Sequence, residues 1–163
     1  MEKNQVEKFL KKACLLARRS GCLRAKVGCV IVKDNKILVS AYNEIFPHDK
    51  YCLEHGCLRD ELKLGMGQSA ERCRSIHSEA RAVAKAAQKG ISLKGASLIS
   101  TYFPCLNCAK LIAKTGIKEI YHIDKHADSE GAKILKLSGI KSKRLVPKWD
   151  NPKARLRDTS WQK

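Results

Sequence analysis

Val6, Phe9, Leu10, Ala13, Cys14 and Ala17 recur at three- and four-residue intervals, with Glu7, Lys8, Lys11, Lys12 and Arg18 between them. That period predicts an amphipathic helix over 6–17, stopped at Ser20-Gly21. Packing on a core accounts for the stripe, so the lysines alone do not make this a membrane-surface helix. Residues 27–32 and 37–42 are β-rich and flank Lys33-Asp34-Asn35-Lys36, which predicts a hairpin. From 43 to 68 no periodicity persists, and a loop of that length needs its own reason to be ordered. An Ala-rich helix is expected over 76–87, ending before Gly90. The units then alternate: strand 96–101, helix 105–115, strand 118–123, helix 128–137 and a last strand at 143–146. Alternation of this kind calls for parallel pairing and right-handed crossovers. Together with the hairpin it predicts an α/β fold, a three-layer α/β/α sandwich around a central mixed five-stranded sheet. At 163 residues the chain has room for one domain. Its expected extent is 1–146, with an insertion over 44–76, followed by a tail over 147–163 that holds Pro147, Trp149, Pro152 and Trp161. No internal repeat or low-complexity segment is visible.

Composition narrows the class. With 44% hydrophobic and 30% charged residues the chain reads as a soluble globular protein, which excludes collagen-like, disordered and membrane-spanning classes. Its 33 Lys+Arg against 16 Asp+Glu leave a formal charge of +17, which points toward a negatively charged partner. From residue 133 onward basic residues face only Asp150 and Asp158, so the tail is basic. The eight cysteines fall short of the density of a disulfide scaffold, and Met1-Glu2-Lys3-Asn4 begins no apolar signal core. A reduced, cytoplasmic chain is therefore expected, and its cysteines turn toward metal or catalysis.

The sharpest chemistry lies in two short motifs, His77-Ser78-Glu79 and Pro104-Cys105-Leu106-Asn107-Cys108, each at the start of an expected helix. Cys-x2-Cys at a helix beginning aims both sulfurs at one point, and the exposed N–H groups there favour thiolates. One imidazole and two thiolates from His77, Cys105 and Cys108 suit zinc and leave the fourth tetrahedral position for water. Glu79, two residues past His77, can face that water without ligating. Alone, the Cys-x2-Cys also fits a structural zinc knuckle or a redox pair. Joined to His-x-Glu and fed by a strand, it has the pattern of a hydrolytic zinc site.

On these motifs the chain resembles the cytidine and deoxycytidylate deaminase superfamily, most closely the bacterial- and phage-type deoxycytidylate deaminases. The likeness runs from about Phe9 to Ile140. It includes the run from Ser20 to Gly28, Ala41-Tyr42-Asn43, Tyr51-Cys52, the run from Gly56 to Leu62, Glu71-Arg72-Cys73-Arg74, Cys108-Ala109-Lys110 and Thr115-Gly116-Ile117-Lys118. The Cys57-Leu58-Arg59-Asp60-Glu61-Leu62 stretch favours these enzymes over tRNA adenosine and guanine deaminases. The resemblance implies a zinc held by His77, Cys105 and Cys108 that brings the pKa of its water toward 7. It implies that Glu79 shuttles the proton to N3 of cytosine and on to the departing amine, so that dCMP becomes dUMP and ammonia. Asn43 and the helix start at Ser78 would fix base and sugar, although Asn43 read without the family is a turn residue closing a strand. Arg24, Lys26 and Arg81 are candidates for the 5′-phosphate. A second, structural zinc on Cys22, Cys52, Cys57 and Cys73 would order the insertion, with His48 or His55 as substitutes for one sulfur. The alternative is four isolated buried thiols. Cys14 and Cys29 sit on expected core faces. The resemblance also implies a homo-oligomer acting on a small-molecule nucleotide.

Three positions depart from the family pattern: Arg81 replaces the usual Asn, Glu44 follows Asn43 where Gly is usual, and His126 stands where a Tyr is expected. They bear on the substrate and leave the zinc set and Glu79 untouched. The +17 charge and the Trp-bearing basic tail favour a second class of function on the same scaffold, a polynucleotide base deaminase or nucleic-acid-binding protein.

Overall fold

The computed structural model describes residues 1–65, 68–124 and 129–146. The tail at 147–163 and His126 lie outside them. In chain order the elements are α1 (Lys3–Ala17), β1 (Gly28–Lys33), β2 (Lys36–Tyr42), β3 (Glu44–Ile45), α2 (Tyr51–Glu54), α3 (Leu58–Glu61), β4 (Ser75–Ile76), α4 (Ser78–Gln88), β5 (Ser97–Tyr102), α5 (Leu106–Ala113), β6 (Glu119–Asp124), α6 (Ser129–Leu137) and β7 (Lys141–Arg144).

Five strands form one mixed sheet in the order β2-β1-β5-β6-β7. β1 runs antiparallel to both β2 and β5, while β5, β6 and β7 are parallel, as the strand–helix alternation requires. Asp34 and Asn35 close the β1–β2 hairpin with positive φ of 48° and 57°, the geometry of a tight turn matched to strand twist. Alternate residues of β1 then point to opposite layers. Val30 and Val32 join Val6, Phe9, Leu10 and Leu16 of α1, while Cys29 and Ile31 face a larger core that includes Ala82, Ala86, Cys108, Ala109, Ile112 and Leu135 of α4, α5 and α6. Both faces of the sheet are covered, which gives the three layers.

Gly28 fixes how α1 meets the sheet. A Cβ there would lie 2.1 Å from the Ala13 carbonyl oxygen and 2.6 Å from the Ala17 nitrogen. Backbone on a buried helix cannot yield that far. Gly28→Ala is expected to cost about 3 kcal/mol and to lower Tm by about 10 °C; an unchanged melting curve would show that α1 does not pack this closely.

Two features differ from expectation. The last strand lies at Lys141–Arg144 instead of 143–146, and all four of its residues are exposed. An edge strand with no buried face has no alternation to mark its bounds. The insertion is not one loop but a folded strap, with two single-turn helices and a short ladder pairing Glu44 with Ile76 and Ile45 with Ser75. That ladder takes Ile76 out of the expected helix and makes His77 the N-cap of α4, with extended φ −67° and ψ 150°. No helix among the described residues is long and apolar enough to cross a membrane.

Candidate active site

Two helix N-termini converge on one point. His77 caps α4 and Cys105 caps α5, both in extended conformation, and Cys108 follows one turn inside α5. His77 Nδ1 lies 3.3 Å from Cys105 Sγ and 3.7 Å from Cys108 Sγ. Zinc bonds of about 2.0 Å to nitrogen and 2.3 Å to sulfur give tetrahedral edges near 3.5 Å, so the donor set fits zinc in both chemistry and spacing. Among the described residues it is this trio whose donor atoms lie within 4.8 Å of one another. Hydrogen bonds to Cys105 and then Cys73 raise His77 to about 10, against its burial. The Cys108 thiol and His77 hold Cys105 down despite burial, and that same bond raises Cys108. Gly131 of α6 supports it from behind: a Cβ there would stand 3.2 Å from the Pro104 carbonyl oxygen and 3.3 Å from the Leu106 nitrogen.

Glu79, 4% exposed, sits in the first turn of α4, where the helix dipole favours a carboxylate. Ser100 Oγ donates to its Oε1 at 2.9 Å, which fixes the carboxylate and leaves its second oxygen for chemistry. Glu79, the trio's His77 and Cys105, and Asn43, Tyr102 and Phe103 line one cleft of about 660 Å³, open mouth included. That size suits a small-molecule site. Asn43, also 4% exposed, accepts from the Val27 N–H and donates to the Ala25 carbonyl, both at 2.8 Å. It thus clamps the cleft wall while keeping one amide hydrogen for a ligand.

The expected phosphate cations are sorted differently. Arg24 lines the cleft, but its guanidinium binds the Leu64 carbonyl at 2.5 Å and Asp60 at 3.2 Å, tying the strap to the wall. Lys26 is exposed and is not part of the cleft lining. Arg81 is also absent from that lining: it pairs with Glu44 at 2.5 Å, reaches the Tyr42 carbonyl and lies 4.4 Å over the Tyr42 ring. Two of the three departures from the family pattern, Arg81 and Glu44, are thus each other's partners, and Arg81 ties α4 to β2 and β3. Ser78 lines the cleft and is wholly buried, beside the Cys29 thiol.

Cys22, Cys52, Cys57 and Cys73 all line a second cavity of about 300 Å³, and all but Cys52 also line the first, but no three of their sulfurs lie within 4.8 Å of one another. Neither His48 nor His55 lines it; His55 stacks on Tyr51. Burial first, and then Cys57 and the other neighbouring acids, raise the Cys52 thiol. Cys73 is raised by burial, but bonds to His77 and to Ser75 Oγ, 3.1 Å away, outweigh this and bring it to about 7. This thiol joins the two cavities. Ser100 and Arg59 were not singled out from sequence. A serine in a buried strand carries a weak signal. Arg59 lay inside a recognised motif but in a segment without periodicity.

Residues 3–123 match the family described as the cytidine and deoxycytidylate deaminase zinc-binding region. A deoxycytidylate deaminase of Schizosaccharomyces pombe is 32% identical over 85% of this chain and 43% of its own length. A deoxycytidylate deaminase of Mus musculus is 34% identical over 88% of this chain and 80% of its own. The chain spans less than half the length of the two yeast relatives it matches. The dCMP deaminase of cyanophage S-TIM5, solved in complex with dCMP and dUMP, superposes with a TM-score of 0.70 at 26% identity, covering 89% of this chain and 99% of that one.

Proposed function

The chain belongs to the cytidine and deoxycytidylate deaminase family, and from that premise we propose that it hydrolyses a cytidine nucleotide, dCMP first among them, to the uridine form and ammonia. One observation carries this reading: a carboxylate, Glu79, held by Ser100 in the same cleft as a His/Cys/Cys donor set. Zinc on His77, Cys105 and Cys108 would supply a water acidified to near-neutral pKa. Glu79, held beside that set, would take a proton from water, deliver it to ring N3 and pass a second to the departing amine. The free amide hydrogen of Asn43 and the backbone N–H at Ser78 orient the nucleoside. The strap residues Cys57, Arg59 and Cys73 cover one side of the cleft, which suits a mononucleotide better than a continuous strand. The likeness to the yeast and mouse deoxycytidylate deaminases and to the cyanophage dCMP deaminase supports dCMP as the substrate.

The same reading carries a second, structural zinc on Cys22, Cys52, Cys57 and Cys73, whose role is to order the strap. Metal analysis of the reduced protein is expected to give about two zinc per chain; about one would leave the four as free thiols. Exposed Phe46, Leu53 and Leu62 on the strap favour a homo-oligomer.

The test of function is ammonia release from dCMP, CMP, dCTP, deoxycytidine and short single-stranded DNA or tRNA. Fastest turnover on dCMP supports the proposal. The +17 charge favours the polynucleotide reading, and turnover confined to oligonucleotides would establish it in place of the first.

A further inference from the structure

Arg59 is 7% exposed, yet it holds no carboxylate among the described residues. Arg24, Arg74 and Arg81 each do, with Asp60, Asp49 and Glu44. An arginine cannot shed its proton to escape burial, so its charge has to be met by other groups. The protein meets it only in part. One terminal nitrogen donates to the carbonyls of Gly65 at 2.8 Å and Gln68 at 2.6 Å, both within the strap. Its buried Nε has no acceptor among the described residues. These two bonds fix the guanidinium in place but bring it no negative charge, and it lines the cleft that contains Glu79, His77 and Asn43. A guanidinium fixed in place at a ligand cleft, with no carboxylate among the described residues and donors left over, is a receptor for an anion.

We infer that Arg59 recognises the 5′-phosphate of the nucleotide and so selects a phosphorylated substrate over a free nucleoside. The inference rests on the proposed nucleotide reaction, and the function expected of Lys26 and Arg81 passes to a strap residue. It gives the insertion a second role, since the segment that covers the cleft also carries the cation that reads the substrate's charge. Arg24, already neutralised by Asp60, holds the strap in position for this.

The test is equilibrium binding of dUMP, deoxyuridine and inorganic phosphate to the zinc-loaded protein and to its Arg59→Gln and Arg59→Lys variants. In the wild type dUMP binds more tightly than deoxyuridine, and inorganic phosphate competes with it. Arg59→Gln is expected to weaken dUMP by about 100-fold, so that the preference over deoxyuridine collapses and phosphate no longer competes. Arg59→Lys, which keeps the charge without the fork, recovers part of the preference. Arg59 also borders the four-cysteine cavity. If Arg59→Gln instead loses zinc and weakens dUMP and deoxyuridine equally, the residue serves that cavity and the inference is overturned. Failure of the nucleotide reading looks different: the wild type would bind inorganic phosphate through Arg59 yet show no affinity for dUMP beyond it.

Discussion

Glu79→Gln is expected to keep its full zinc content and lose at least about 1,000-fold in turnover of dCMP. The amide is nearly isosteric, and its oxygen can still accept the Ser100 hydrogen bond that positions Oε1. Local packing around this buried position should therefore survive. What disappears is the ability to take a proton from water and return it, first to N3 and then to the amine. Because Glu79 stands outside the His77, Cys105 and Cys108 set, metal content separates the two roles. Ammonia release at the wild-type rate would remove Glu79 from the mechanism. Zinc lost together with activity would make it a ligand.

Cys105→Ser should be more damaging still. Cys105 is 4% exposed and Cys108 2%, so both sulfurs lie where a serine hydroxyl would be a poor zinc ligand with no solvent to compensate it. The catalytic zinc is expected to fall to well under half occupancy, with turnover down by more than about 1,000-fold. Thermal stability should fall as well, since metal binding to a folded site contributes directly to folding free energy. Chelation of the wild type, read by metal content and melting temperature, should reproduce both losses. A Cys105→Ser protein that kept one full equivalent of zinc in this site and its activity would show that the ligand set is wrong.

The zinc trio was legible because its spacing is local: two turn-to-helix motifs each announce themselves within a few residues. The layers were legible because buried strands and packed helices impose their periods on the sequence. β7 slipped by two residues because nothing on either side of it is buried. Arg81 shows a different limit. A cation beside the catalytic motif invites assignment to a phosphate, and only the position of Glu44, 37 residues earlier in the chain, reveals that its charge is already matched. Arg59 is the converse case. It lies inside the Cys57–Leu62 motif, yet nothing there marks it off as a ligand contact, and its proposed role arises from burial without a carboxylate among the described residues.

By itself the sequence determined the fold class and the family and pointed to His77, Cys105, Cys108 and Glu79 as the proposed site, since each of these is written in short-range spacing or in periodicity. Only the tertiary structure decided which cations face the cleft, that Ser100 holds Glu79, that Asn43 clamps the wall, and that Cys22, Cys52, Cys57 and Cys73 line one neighbouring cavity. Those are properties of pairs far apart in the chain. Whether a charge is free or matched, or a side chain buried or exposed, depends on neighbours that the fold alone brings together.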